Sequence, residues 1–249
     1  MNRLYIFGFI LIFFISSCKN SESDKKDETE KITLEVELFV KDKPLQLLQE
    51  YQNSLNQRYL LENFKFYLSN FEFESASTNE VFKVEDSYLL FSADRQTNIF
   101  QKEIEVKKGE YLNMNFAIGV DSIKNTSLDN TGDLDINNSM AWDWNTGYKF
   151  VVMEGKYFND VANPNTSIPL VFHVGLNRSY RTTSVSFENA TSKGTFSTDN
   201  KKIVLRVDLD DFFSSPNSID FEETNNVMGG SDLLVENYET GFITLEKIE

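Results

Sequence analysis

The sequence predicts an all-β protein, an antiparallel β-sandwich with Greek-key-like connections, one long acidic loop and one or two short helices. Apolar residues recur with a period of two along most of the chain, which is typical of half-buried strands. The 249 residues include only 4 Pro and 11 Gly, so the connections between these segments are predicted to be polar turns and not linkers rich in Pro and Gly. The 22 Phe suit the core between two packed sheets.

The individual strands follow from this alternation. In "ITLEVELFV" (32–40), every second residue from Ile32 is apolar. In "FKFYLSNFEF" (64–73) the apolar parity reverses near Ser69 and Asn70, which predicts a bulge or bend there. The remaining predicted strands are 81–91, 98–106, 111–119, 146–155, 169–175, 183–189, 201–209 and 241–247.

Helical periodicity is thin and predicts short helices only at 44–56 and 231–238. One long connection, residues 119–144, has almost no strand signal. A connection of this length in a compact domain is usually functional or disordered. Because it leads to Trp142 and Trp144, the only two tryptophans of the chain, a functional role is favoured.

The long connection also carries oxygen donors. Asp121, Asp133, Asp135 and Asn138 offer hard ligands that would suit Ca²⁺, although their spacing is not that of an EF-hand. Asp and Asn also stabilise turns through local hydrogen bonds to the backbone. The segment is therefore either a calcium-binding loop or a series of polar turns.

The start of the chain predicts export. Arg3 precedes an apolar run, residues 4–15, which is shorter than an ordinary membrane span of roughly 20 residues but suits the core of a signal peptide. The segment "ISSC" then ends at Cys18 and resembles the lipobox of bacterial lipoproteins. We therefore expect residues 1–17 to be a lipoprotein signal peptide and Cys18 to carry the lipid.

Cys18 is the only cysteine, so no intrachain disulfide can form and acylation would consume its thiol. Two or more acyl chains give stable attachment to a membrane. Residues 19–31, "KNSESDKKDETEK", contain no apolar side chain, so 18–31 is predicted to be a lipidated, disordered tether. The folded domain is then 32–249, on an outer-membrane lipoprotein that faces the periplasm or the cell surface.

Charge and histidine count exclude several function classes. A net charge of −15 argues against nucleic acid and against anionic membrane surfaces as partners, but it permits cations. His173 is the only histidine, which excludes sites that need two imidazoles from one chain. The motifs G-x-S-x-G, C-x-x-C and H-E-x-x-H do not occur in the sequence. We expect a protein that binds and is not an enzyme.

Several motifs occur in an order that resembles a known family. They are "FKFYLSN" (64–70), "GEYLNMNFAIGVDSIKN" (109–125), "GDLD" (132–135), "MAWDWNTGYKF" (140–150), "EG" (154–155) and "FHVG" (172–175). Together they resemble the MbnP-like copper-binding protein family, exported lipoproteins that include partners of methanobactin systems. The most specific part is the block that runs from "GVD" to M-x-W-x-W-x-x-G-Y.

The resemblance implies a sandwich that binds copper outside the inner membrane. In relatives, a partner di-haem enzyme of the MauG-like class oxidises a tryptophan to kynurenine, and in related copper proteins a kynurenine nitrogen joins histidines around the metal. Kynurenine offers an aromatic amine beside a carbonyl, and imidazole suits copper. By position His173 matches the family's histidine as a metal ligand. Trp142 and Trp144 match the W-x-W pair, either of which could be the modified residue.

The chain departs from the family at one ligand position. Many relatives carry another histidine in the first strand, where this sequence has Leu38 or a close neighbour. A copper site with two histidines therefore cannot form within one chain. Met140 is a candidate extra ligand through its thioether, and the sequence does not select it over Met114, Met153 or Met228.

Structural alternatives remain for the same residues. His173 in an apolar strand could be a satisfied core side chain, and one tryptophan could fill the core while the other shields it. An alternative function is a cell-surface module that binds glycans or another ligand, with a structural calcium loop. The copper interpretation requires the imidazole of His173 to lie beside at least one indole, and one indole to lie near the surface.

Overall fold

The structure, a computed structural model, describes residues 28–78, 80–159, 166–190 and 194–249. The predicted signal peptide, Cys18 and most of the predicted tether lie outside these residues. The first strand begins at Thr29, so the last three residues assigned to the tether, 29–31, belong to the folded domain instead. Among the described residues, none of the helices has the length and apolar character that crossing a membrane requires.

The strands form two sheets. The small sheet contains β1 (Thr29–Val40), β2 (Lys43–Pro44), β7 (Ile99–Lys107), β13 (Lys202–Asp208) and β15 (Ile243–Ile248). The large sheet contains β3 (Glu50–Gln52), β4 (Arg58–Ser75), β5 (Val81–Lys83), β6 (Tyr88–Ser92), β8 (Glu110–Ile118), β9 (Lys149–Phe158), β10 (Ile168–Gly175), β11 (Arg181–Ser186), β12 (Phe196–Ser197) and β14 (Asn226–Gly229). Two short helices, α1 (Leu209–Ser214) and α2 (Asp232–Glu239), follow β13 and β14.

The predicted all-β sandwich is confirmed, with two departures from a purely antiparallel arrangement. Strand β1 pairs with β13 in parallel, and β10 pairs with β14 in parallel. Parallel neighbours need a long crossover connection and cannot be joined by a hairpin. The main path of the large sheet runs β11-β8-β4-β9-β10-β14, so β10 has β9 on one side and β14 on the other.

Most predicted strands are present, and the differences have local causes. The predicted strand 81–91 is divided into β5 and β6 by a turn in which Asp86 has a φ of 47°. The helix predicted at 44–56 is wrong, because β3 occupies part of it and Leu48 has a left-handed φ of 68° that a helix cannot contain. The helix predicted at 231–238 is confirmed as α2, whereas α1 was not predicted.

The predicted irregularity in β4 is confirmed. The pairing of β4 with β8 shifts register between Ser69 and Glu72, and Asn70 has a left-handed φ of 53°. A bulge at this point moves the following side chains to the other parity, so apolar residues on both sides of it face the same core. Phe66 and Phe73 are both fully buried in that core.

The main core fills the space between the two sheets. Leu38, the position where relatives carry a second histidine, is fully buried in it. A second, smaller core lies on the outer face of the large sheet, under residues 119–148, which we call the covering loop. Alternation along β9 directs Val151 and Met153 to the main core and Phe150 and Val152 to the outer face. The buried members of this outer core are Tyr67, Val120, Leu134, Met140, Tyr148, Phe150 and Val152.

A candidate metal-binding site beside the outer core

The covering loop ends in a small closed turn that carries both tryptophans. A β-bridge joins Ala141 to Tyr148. The backbone N–H of Trp142 donates to the carbonyl of Gly147 at 3.1 Å, which closes the base of the turn. Residues 143–146 form its exposed tip, and Trp144 at that tip keeps 59% of its surface exposed.

Trp142 lies underneath this tip and is only 5% exposed. Its indole N–H donates to the carbonyl of Tyr148 at 3.0 Å, so the polar edge of the ring is satisfied. The centroids of the Trp142 and Trp144 rings are 5.1 Å apart. Gly175, at the end of β10, makes room for the buried ring, since a Cβ there would lie 2.8 Å from Cζ2 of Trp142.

His173 lies beside the buried indole. The centroids of the His173 and Trp142 rings are 6.5 Å apart, and the histidine side chain is 12% exposed. Its neighbours in β10, Phe172 and Val174, face the main core, so His173 faces the outer side of the sheet. The imidazole therefore lies next to one indole, as the copper interpretation requires.

A carboxylate determines how the imidazole is held. Nε2 of His173 and Oε1 of Glu154 are 2.7 Å apart, and Oε2 of Glu154 accepts a hydrogen bond from Asn63 at 2.9 Å. Partial burial alone would raise the pKa of Glu154, but the hydrogen bonds from Asn63 and His173 hold it below its usual value. An ionised carboxylate can only accept, so Nε2 carries the proton in this pair.

The other ring nitrogen is left without a partner. Nδ1 of His173 is buried and makes no hydrogen bond within the part of the chain that the structure describes. In the neutral imidazole with its proton on Nε2, Nδ1 presents a lone pair. A buried acceptor without a partner is unfavourable by about 1–3 kcal/mol. The arrangement thus holds a free imidazole nitrogen that could bind a Lewis acid.

A family model for MbnP matches residues 29–229 of this chain. The chain belongs to the MbnP family. Among solved structures it is similar to MbnP from Methylosinus trichosporium, with 17% sequence identity, a TM-score of 0.51, and coverage of 83% of this chain and 82% of that chain. At this identity the similarity concerns the fold alone. None of the curated proteins compared with the chain matches it.

Within this MbnP-family domain the methionines lie in three different surroundings. Met140, the candidate extra ligand, is fully buried in the outer core. Met114 and Met153 are fully buried in the main core. Met228 is 51% exposed, and its Cα pairs with that of His173 between β14 and β10. Of the four methionines among the residues that the structure describes, Met228 alone is exposed and lies in the strand next to that of His173.

The carboxylate of Asp121 is used by the fold. Its Oδ1 accepts from the backbone N–H of Ile123 at 2.9 Å, and its Oδ2 accepts from Asn70 at 3.0 Å and from the hydroxyl of Tyr88. Burial works against ionisation, yet these hydrogen bonds hold the pKa of Asp121 below its usual value. The side chain thereby ties the start of the covering loop to β4 and β6.

The other three residues of the predicted calcium loop have separate contacts. Asp133 pairs with Lys102 at 2.8 Å, Asp135 accepts from the backbone N–H of Asn137 at 2.8 Å, and Asn138 donates to the carbonyl of Asp133 at 3.0 Å. These contacts secure turns of the covering loop. Among the residues that the structure describes, no three His, Cys, Asp or Glu side chains are grouped to hold a metal ion.

Glu154 and Asn63 were not predicted as site residues. Glu154 lies in the "EG" motif at 154–155, but nothing in that motif indicates which side chain it faces. The contacts of Glu154 with Asn63 and His173 arise because β9 lies between β4 and β10. Glu154 pairs with Asn63 on one side and, on the other, with Val171, two residues before His173 in β10. Only knowledge of the strand register could have revealed that Glu154 lies beside His173.

Proposed function

We propose that this MbnP-family protein is a lipid-anchored, extracytoplasmic copper-binding protein that acts by binding and not by catalysis. The observation that carries the proposal is the buried, unpartnered Nδ1 of His173 beside Trp142. A bound copper ion would act as a Lewis acid that accepts the lone pair of this nitrogen, and imidazole is a suitable copper ligand. The net charge of −15 favours the approach of a cation.

Glu154 supports this assignment. A histidine that binds a metal usually donates its second ring N–H to a carboxylate or carbonyl, which fixes the tautomer and the ring orientation. Nε2 of His173 and Glu154 are in that relation at 2.7 Å. Asn63 holds the far oxygen of the carboxylate at 2.9 Å, so the ring is oriented before any ligand arrives.

We further propose that Trp144 is the tryptophan that a partner di-haem, MauG-like enzyme converts to kynurenine. Trp144 is 59% exposed, whereas Trp142 is 5% exposed. The indole N–H of Trp142 is also bonded to the backbone, at 3.0 Å from the carbonyl of Tyr148. An electron leaving an exposed ring can reach a partner's haem without the partner entering the protein.

The chemistry of the modification balances with peroxide as oxidant. Two molecules of hydrogen peroxide, each reduced to water, would open the C2–C3 bond of the indole of Trp144 and place one oxygen on each carbon. Hydrolysis of the resulting formamide releases formate and leaves the aryl amine of kynurenine. The modified residue has one oxygen more and one carbon fewer than tryptophan, and it gains an amine donor beside a carbonyl.

Copper uptake by the full chain and by His173→Ala tests the proposal. Purified protein in detergent should bind one copper per chain, and the variant should lose that binding. Tandem mass spectrometry of the peptide that contains both tryptophans, from protein made with its native neighbours, should place the kynurenine increment on Trp144. Equal copper uptake by both proteins would contradict the assignment of His173, and an unmodified peptide or an increment on Trp142 would contradict that of Trp144.

The exposed ring of Trp144 also suits a different function, the stacking of a sugar in a cell-surface glycan-binding module. Aromatic faces that project from a turn present a flat apolar surface to a ligand. Glycan-array binding that survives His173→Ala but is lost in Trp144→Ala would favour this function over copper binding. Loss of copper uptake in His173→Ala, without glycan binding by either protein, would favour copper.

A further inference from the structure

His173 is the only imidazole of the chain, and one nitrogen is a poor basis for holding a copper ion. A further donor must come from a side chain near Nδ1 on the outer face of the large sheet. Glu154 lies on the β9 side of β10 and is already bonded to Nε2. The other side of β10 is formed by β14, a strand of four residues.

Met228 occupies the position of β14 that pairs with His173. Neighbouring strands lie about 4.8 Å apart, and paired residues of parallel strands present their side chains to the same face. The burial pattern agrees, since Val227 packs against the main core whereas Met228 is 51% exposed. Met228 and His173 therefore project from paired positions of neighbouring strands toward the same outer face.

We propose that Met228 provides the second copper ligand and that this thioether makes the site selective for Cu(I). The inference rests on the proposed copper function and replaces the missing second histidine with a residue of different chemistry. Soft thioether sulfur favours Cu(I), whereas hard divalent ions prefer oxygen ligands and Zn²⁺ is usually held by imidazole, carboxylate or thiolate and not by thioether. An imidazole–thioether pair should therefore bind Cu(I) well and Zn²⁺ poorly.

The surroundings of the other methionines favour Met228 as the donor. Met114, Met140 and Met153 are each fully buried inside a packed apolar core. Met114 and Met153 face the main core, on the opposite side of the sheet from His173, so they would have to leave that core to reach an ion beside it. Met228 needs no such rearrangement, because its flexible side chain is already exposed next to β10.

The test is an anaerobic competition for Cu(I) between the full chain in detergent and a chromophoric chelator. Met228→Leu, which keeps the size and apolar character of the side chain, should weaken Cu(I) affinity about 100-fold, the upper end of what loss of a ligand's supporting partner causes. Zn²⁺ affinity should be unchanged. Copper-edge X-ray absorption should detect a sulfur neighbour in the wild type and none in Met228→Leu.

Met114→Leu is the matched control, because it removes a thioether from the main core and should leave Cu(I) affinity unchanged. Thermal unfolding of both variants checks that they are folded. If Met228→Leu keeps wild-type affinity, or if the wild type shows no sulfur neighbour while His173→Ala loses copper, the role of Met228 is overturned and the proposed function stands. If the wild type binds only Cu(II), the role of Met228 is overturned and the proposed function stands; if it binds neither Cu(I) nor Cu(II), both proposals are overturned.

Discussion

The two faces of the large sheet differ in what covers them. The inner face packs against the small sheet and the two short helices, with phenylalanines such as Phe64 and Phe66 fully buried. The covering loop covers only part of the outer face. The outer core between this loop and the sheet has seven buried residues. His173 and Trp142 lie at the border of that small core. The stability of the candidate site should therefore depend on the covering loop more than on the sandwich.

The largest expected effect comes from breaking the inner face. Phe66 is fully buried, and its ring centroid lies 5.1 Å from that of Phe64 and 5.4 Å from that of Phe91. Phe66→Ala should lower the free energy of unfolding by about 3–5 kcal/mol, because it leaves a cavity between the sheets. Urea unfolding followed by circular dichroism measures this. A loss below about 1 kcal/mol would show that the inner face repacks.

A smaller and more local effect is expected from the outer core. The hydroxyl of the fully buried Tyr148 donates to the carbonyl of Leu134 at 2.7 Å and accepts from Asn130 at 3.0 Å. Tyr148→Phe leaves the carbonyl of Leu134 without this donor, whereas Asn130 keeps its bond to the carbonyl of Ser127, and the substitution should lower the free energy of local opening of the covering loop by about 1–3 kcal/mol. Hydrogen exchange should become faster in the covering loop, while amides of β1 keep their protection.

Tyr51→Phe provides the control for Tyr148→Phe. The Tyr51 hydroxyl bonds to the backbone of Gln46, away from the covering loop. Its loss should leave exchange in that loop unchanged. If hydrogen exchange in Tyr148→Phe accelerated equally in β1 and in the covering loop, the two faces would unfold as one unit. That result would contradict the inference that the covering loop opens independently of the sandwich.

The smallest expected effect concerns acid. Because the pKa of Glu154 is lower in the folded chain than its usual value of about 4.3, its ionised form stabilises the fold above that value. This contribution is lost as the pH falls through the lower folded-state pKa. Glu154→Gln should therefore flatten the decline in stability below about pH 4.5, by less than about 1 kcal/mol because the group is partly exposed.

Urea midpoints between neutral pH and about pH 3 measure the effect of Glu154→Gln. Glu62→Gln is the matched control, since Glu62 lies in an exposed ion pair with Lys156 at 3.5 Å on the same sheet. The control should follow the wild-type curve. A steeper decline of stability in acid for Glu154→Gln than for wild type would show that ionised Glu154 does not stabilise the fold.

The sequence predicted the sandwich because alternation of apolar residues records which face of each strand is buried. It failed where no such alternation exists. The apolar residues near Leu48 have a helical spacing, but a left-handed backbone and the burial of Tyr51 produce an extended segment instead. Strand β14 has four residues, too few for any period to be detected.

The candidate site was predictable only in part, for a related reason. Trp142 and His173 were expected to be neighbours because their motifs recur together in a family. Glu154 and Met228 reach His173 through the pairing of β9, β10 and β14, of which the last comes from a distant part of the chain. Contacts set by long-range register leave no local pattern, so physical reasoning from the sequence could not select them.

The turn that carries both indoles has a practical consequence. Since Trp142 and Trp144 are the only tryptophans and their ring centroids are 5.1 Å apart, all indole emission of the protein originates at one corner of the molecule. Quenching or a spectral shift of the tryptophan fluorescence during titration with copper would thus report binding at that corner directly. It would need no attached dye and would have no background from the rest of the domain.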